Sequence, residues 1–180
     1  MSHADDANVT PGFAGPLAGH VDPVLARWAA GMAARPQDGA QLPPHAARCL
    51  GCGPDNPHGH HLQVHRDGDH VVARHTFDER HMGAPGIAHG GAVATVFDDL
   101  FGFVLFIVGK LAVTRSLQVE YLAPVRLDVP YTVTAGLDRR EGRRLHVSAH
   151  LRQAGGREIA TATALFVTVT VEHFARALEQ

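Results

Sequence analysis

Two cysteines are all that this chain of 180 residues carries, and they stand three positions apart, as Cys49 and Cys52. Such a pair is too sparse and too close for the disulfide framework of a small secreted domain. A basic start followed by an apolar core is also missing. The N-terminus reads Met1-Ser2-His3-Ala4-Asp5-Asp6, unlike a signal peptide, so a reducing, cytoplasmic setting is expected. Long hydrophobic runs are missing too: Leu100 to Val108 is the most apolar stretch, nine residues where a membrane span needs about 20. It reads as a buried helix, and no membrane partner is expected. Neither sign of charge dominates, since 16 Lys and Arg against 18 Asp and Glu leave a net −2. That balance excludes the broad cationic footprint of a nucleic-acid binder. No internal repeat and no phosphate-cradling glycine motif occurs.

What is present suits one domain, with 45% hydrophobic and 19% charged residues, enough for one sizeable core. Residues 1–20 mix Gly, Pro, Ala and Asp without periodicity and are expected to be a flexible tail. Residues 21–46 read as a helical extension and linker: Val24, Leu25, Trp28, Ala29 and Met32 follow helical spacing within 22–34, and Pro36, Pro43 and Pro44 follow. The main domain is expected over 47–172, with 173–180 as a C-terminal tail.

Within that domain, Leu62 to Phe77 has strand character, and Gly91 to about Val108 is helical with apolar residues on nearly every side, so sheet should enclose it. Val113–Leu122, Tyr131–Leu137, Leu145–Gln153 and Glu158–Val171 alternate and are rich in Val, Thr, Ile and Tyr. Glu141-Gly142 and Gly155-Gly156 suit hairpin turns, which implies antiparallel pairing. The expected class is α+β, a curved antiparallel sheet wrapped around one long central helix.

The chemistry concentrates in His89-Gly90-Gly91, followed by Ala92 to Asp98-Asp99. Glycines at a helix start leave amides uncovered, and those donors at the positive dipole end can hold a developing oxyanion. Asp98 supplies a carboxylate further along the same helix. Eight positions at ~1.5 Å each place Gly90 and Asp98 about 12 Å apart, too far for one thioester to touch both. If both act on one carbonyl, they come from two copies across a two-fold axis, so an obligate homodimer, alone or as a dimer of dimers, is expected.

His-Gly-Gly with an acid nine residues after the His resembles the hot-dog-fold acyl-CoA thioesterases of the phenylacetate-pathway and 4-hydroxybenzoyl-CoA type. The likeness extends to Gly83-Ala84-Pro85-Gly86-Ile87-Ala88, to Thr114 through Val125, and to Cys49-x-x-Cys52-Gly53-x-x-Asn56-Pro57-x-Gly59. The resemblance implies the hot-dog fold and hydrolysis of an acyl-CoA, with no metal or cofactor. By matched position, Asp98 is the general base or nucleophile and the Gly90 N–H polarises the thioester carbonyl. His89 orients substrate or caps the helix. Thr114 either positions the attacking water or is simply a β-favouring residue. Gly91, Asn56 and Ser116 are assigned to substrate binding, Ser116 because it lies two residues beyond Thr114 and so on the same strand face. Asp99 points about 100° away from Asp98 and reads as a structural or dimer-seam carboxylate.

Three other features invite chemistry. Cys49 and Cys52 have the spacing that makes half of a zinc site, and His58, His60, His61 and His65 follow, but at no usual interval, so a tight turn is the preferred reading. Arg139, Arg140, Arg143 and Arg144 suit a solvated turn better than a phosphate clamp. Asp55-Asn56-Pro57-His58 resembles the catalytic segment of hot-dog hydratases, except that there one residue separates the Asn-Pro pair from both its Asp and its His. A hydratase or dehydratase therefore stands as one alternative, and a non-catalytic acyl-CoA-binding protein as another.

Overall fold

A computed structural model describes residues 29–32 and 34–178. The expected tail at 1–20 and most of the expected helix at 22–34 fall outside these residues, although 29–32 are helical and Met32 is buried in the core.

Among the described residues from Val64 onward, eight strands and two α-helices follow in the order β1 (Val64–Asp67), β2 (His70–Thr76), β3 (Met82–Ala84), β4 (Ile87–Ala88), α1 (Gly90–Val108), β5 (Ala112–Tyr121), β6 (Pro130–Glu141), β7 (Arg144–Gln153), β8 (Glu158–Thr168) and α2 (Val171–Leu178). A 3₁₀ turn, Glu79–His81, precedes β3. Six strands form one antiparallel sheet in the order β1-β2-β6-β7-β8-β5, while β3 and β4 make a separate short hairpin.

The sheet curves around α1, whose Val93, Val96, Phe97, Leu100, Phe101, Phe103 and Val104 are all buried. By length and apolarity alone this helix passes for a membrane span; here just over half of it is buried inside the fold. His89 caps its start, with Nδ1 accepting the Gly91 N–H at 2.9 Å. Gly109, in the left-handed region at φ 65°, ends it by donating its N–H to the Leu105 carbonyl at 2.8 Å, a conformation that costs glycine little.

The core face of each strand shows the expected alternation: Val133 and Ala135 on β6, Leu145, Val147, Ala149 and Leu151 on β7, and Ala160, Ala162 and Phe166 on β8 all point inward. Three expectations change. The single strand expected over Leu62–Phe77 is the hairpin β1–β2, because Gly68 at φ 60° turns the chain between two polar aspartates. β6 begins at Pro130 and runs to Glu141, well past Leu137, since its far end pairs with β7 out to the turn. β8 stops at Thr168, and the chain re-enters a helix at Val171.

Candidate active site

Gly91, Ala94, Thr95 and Asp98 stand at helical spacing along one face of α1, and with Leu50, Thr114 and Leu117 they line an open cavity of about 460 Å³. The Thr114 hydroxyl donates to Asp98 Oδ1 at 3.1 Å, which fixes the carboxylate toward the start of β5. Gly90, one step round the helix, belongs to a different cavity of about 440 Å³, together with Ile87, Val93, Tyr121 and Val125. Within one chain the two groups therefore face separate spaces. This agrees with the spacing argument that one thioester cannot reach both.

The helix start is more fully used than expected. Gly91 N–H is taken by His89, and Ala92 N–H by the His89 carbonyl at 2.9 Å. Two exposed amides reduce to one: among the described residues, no acceptor takes the Gly90 N–H. Tyr121, which the sequence reading did not single out, donates its hydroxyl to the Gly90 carbonyl at 2.6 Å and so anchors this first peptide. A side chain at Gly90 would meet that hydroxyl at 3.2 Å, tight for any residue larger than glycine.

Two expected binding residues are placed elsewhere. Between Thr114 and Ser116 the register slips, Thr114 opposing Phe166 and Ser116 opposing Leu165. This bulge at Arg115 turns Ser116 to the opposite face, beside Gln118, Asp138 and His146 and away from Asp98. Asn56 is consumed inside its own loop, where its amide donates to the carbonyls of Arg48 and Cys49 and its oxygen accepts from His58 N–H at 3.0 Å. The arginines sit at the β6–β7 turn: Arg139 pairs with Glu141 at 2.8 Å, Arg140 with the Gly142 carbonyl, and Arg143 with the Thr168 carbonyl.

Asp99 turns away from Asp98 into a cluster. Its Oδ1 lies 3.1 Å from His45 Nδ1, 3.1 Å from Cys49 Sγ and 3.6 Å from Cys52 Sγ, and Cys52 Sγ lies 3.3 Å from His45 Nδ1. Burial pushes the Asp99 carboxyl up against the pull of His45. Burial by itself lowers His45, but the hydrogen bonds its ring donates to Asp99 and Cys49 outweigh burial and raise it to about 9. Sequence reading missed His45 as well as Tyr121; the place of His45 four before Cys49 was the available signal.

A second group, His60, His75 and His81, is buried beneath Phe77, with His60 Nδ1 and His75 Nε2 sharing a hydrogen bond at 3.1 Å. Burial, reinforced by the neighbouring imidazoles, lowers His60 to about 4 and His75 to about 3.

The architecture is the hot-dog fold, and the family model of the thioesterase superfamily matches residues 85–160 of this chain. Among curated proteins, the acyl-coenzyme A thioesterase THEM4 of Rattus norvegicus is 37% identical over 87 residues, covering 48% of this chain and 37% of the rat protein. The chain thus spans well under half the length of that relative. A crystal structure of a thioesterase superfamily protein superimposes with a TM-score of 0.61 at 28% identity, covering 64% of this chain and 57% of that one. A hypothetical thioesterase from Streptococcus pneumoniae, solved with coenzyme A, shares the fold at a TM-score of 0.57 and 23% identity, covering 60% and 85%.

Proposed function

We propose that the protein hydrolyses an acyl-CoA thioester to the free acid and coenzyme A, at a site built by two copies of the chain. The observation that carries this reading is the Asp98 carboxylate, steadied by Thr114 at 3.1 Å over an open cavity that Gly90 of the same chain does not share. The names of the curated relatives and the coenzyme A held by the Streptococcus pneumoniae protein support the substrate class.

The copies meet along β5 in this reading. That strand is one edge of the sheet, ten residues long, and among the described residues no strand pairs with its outer side. Pairing it with its own two-fold mate lays the two helices antiparallel and brings the Gly90 end of one toward Asp98 of the other. Gly90 N–H then receives the carbonyl oxygen as negative charge develops on it. Asp98 takes a proton from water as the water oxygen bonds to the carbonyl carbon, and the C–S bond breaks as that proton passes to the leaving coenzyme A sulfur. In the direct-attack route Asp98 itself bonds to that carbon, coenzyme A leaves as a thiolate that takes a proton from solvent, and water then cleaves the mixed anhydride to the free acid and the restored carboxylate.

Incubating the chain with a panel of acyl-CoA esters, with free thiol as the readout, tests the activity; release above the Asp98→Asn background is expected. Absence of thiol release from aromatic, short and long acyl groups alike, or hydration of an enoyl-CoA in its place, overturns the reading.

A further inference from the structure

The geometry points to a structural zinc site formed by His45, Cys49, Cys52 and Asp99, against the sequence expectation of no metal. The four ligand atoms lie within 4.8 Å of one another. A tetrahedral zinc with Zn–S about 2.3 Å, Zn–N about 2.05 Å and Zn–O about 2.0 Å needs edges of about 3.3 Å for N···O and about 3.5 Å for S···N and S···O. The corresponding separations are 3.1 Å for His45 to Asp99, 3.3 Å for His45 to Cys52, and 3.1 and 3.6 Å for Cys49 and Cys52 to Asp99. Each of these four edges lies within half an ångström of the tetrahedral value.

The donor set fits the same ion. Two thiolates, one imidazole and one carboxylate suit a borderline-soft cation that prefers four ligands, and the paired cysteines have the two-residue spacing of a zinc knuckle. Hydrogen bonding alone serves this cluster poorly. The other three side chains crowd onto Asp99 Oδ1, while Oδ2, buried in a side chain only 8% exposed, has no partner among the described residues. A carboxylate contacted on one oxygen is the arrangement of a monodentate ligand.

Packing supports the site as well. A Cβ at Gly51 would lie 2.1 Å from Asp99 Cγ, and one at Gly102 would lie 2.8 Å from His45 Cε1. Loop and helix are thus stripped of side chains where they close on the four ligands. The buried trio of His60, His75 and His81 is not such a site: His60 and His81 stack at 4.2 Å and only 9° from parallel, so their in-plane lone pairs do not converge.

With all four positions supplied by protein, the ion has no open coordination and serves structure. It ties residues 45–52 to α1, and Cys49, Leu50 and Gly51 are one wall of the Asp98 cavity. It also divides the labour of adjacent acids: Asp99 is committed to the metal, leaving Asp98 free. The inference does not depend on the proposed hydrolysis, because a chain can hold zinc whatever reaction it performs.

The test uses the full chain without a histidine tag, purified under reducing conditions and analysed for metals. About one zinc per chain is expected, and replacement by Co(II) should give a thiolate charge-transfer band with the strong visible absorption of a tetrahedral site. Cys52→Ser and His45→Gln should lose both signals, while His75→Gln and Asp98→Asn keep them. A folded wild-type chain with no zinc and no cobalt spectrum overturns the site, as does a Cys49–Cys52 disulfide in the chain as purified. Zinc retained unchanged by Cys52→Ser and His45→Gln overturns it equally. If those variants fail to fold, the wild-type cobalt spectrum decides. Hydrolysis is scored separately, so loss of one result leaves the other standing.

Discussion

Thr114 and Asp98 meet across the junction of the edge strand and the central helix, the threonine hydroxyl donating to one carboxylate oxygen at 3.1 Å. The contact holds the acid in one rotamer over its cavity and leaves the second oxygen for chemistry. Asp98→Asn should therefore lower kcat by roughly 10²–10⁴-fold with the far-UV spectrum unchanged. Thr114→Val, which removes only the positioning hydroxyl, should cost about tenfold or less. A fully active Asp98→Asn enzyme would remove Asp98 from the mechanism.

The separation of Gly90 and Asp98 into two cavities makes a complementation experiment decisive. Gly90→Val and Asp98→Asn should each be inactive alone. Refolded together in equal amounts, about half the dimers are mixed, and each mixed dimer holds one intact site of two, so activity near a quarter of wild type should return. No recovery above the separate variants would mean that each site lies within one chain.

Gly51 faces Asp99 with no room for a side chain, since a Cβ there would sit 2.1 Å from the carboxyl carbon. Gly51→Ala should destabilise the fold by about 1–3 kcal/mol, because the loop must back away from the helix. Thermal melts check this, and an unchanged Tm would show that the loop yields freely. Because the same loop walls the Asp98 cavity, KM for the acyl-CoA should rise more than kcat falls.

His60 and His75 are held near 4 and 3 by burial first and by neighbouring imidazoles second, with Asp78 opposing and Arg80 assisting. Both rings bind protons more readily in the unfolded chain, where the pKa is about 6.5. Their effect is therefore absent above about pH 6.5 and grows as a loss of stability below it, down to the folded values. The slope should approach ~1.4 kcal/mol per pH unit for each histidine within that window. His75→Gln should flatten the profile between pH 6 and 4, as read by denaturant melts at each pH. Asp78, held at about 2 chiefly by its hydrogen bond with Arg80, adds its own loss only at lower pH.

Local periodicity carried most of the fold. The alternation in β6, β7 and β8, the enclosed helix and the glycine turns depend on neighbours a few positions away, and such signals are legible along a chain. The hairpin within 62–77 shows along the chain only as a change of phase, the buried positions being even before Gly68 (Leu62, Val64) and odd after it (Val71, Ala73, Phe77). The helix-start glycines and Asp98 were legible for the same reason: eight positions on one helix have a fixed geometry.

Residue order alone determined that a helix begins at His89-Gly90-Gly91, that an acid follows on it, and that strands enclose it. Only the tertiary structure decided which side chains share a space. One bulged residue at Arg115 turned Ser116 away from Asp98, and Asn56 was drawn into its own loop. His45, Cys49 and Cys52 came to rest on Asp99, some fifty positions later, because the loop before β1 folds back against the central helix. Contacts of that range depend on how loop and helix pack in three dimensions, and no periodicity in the chain encodes them.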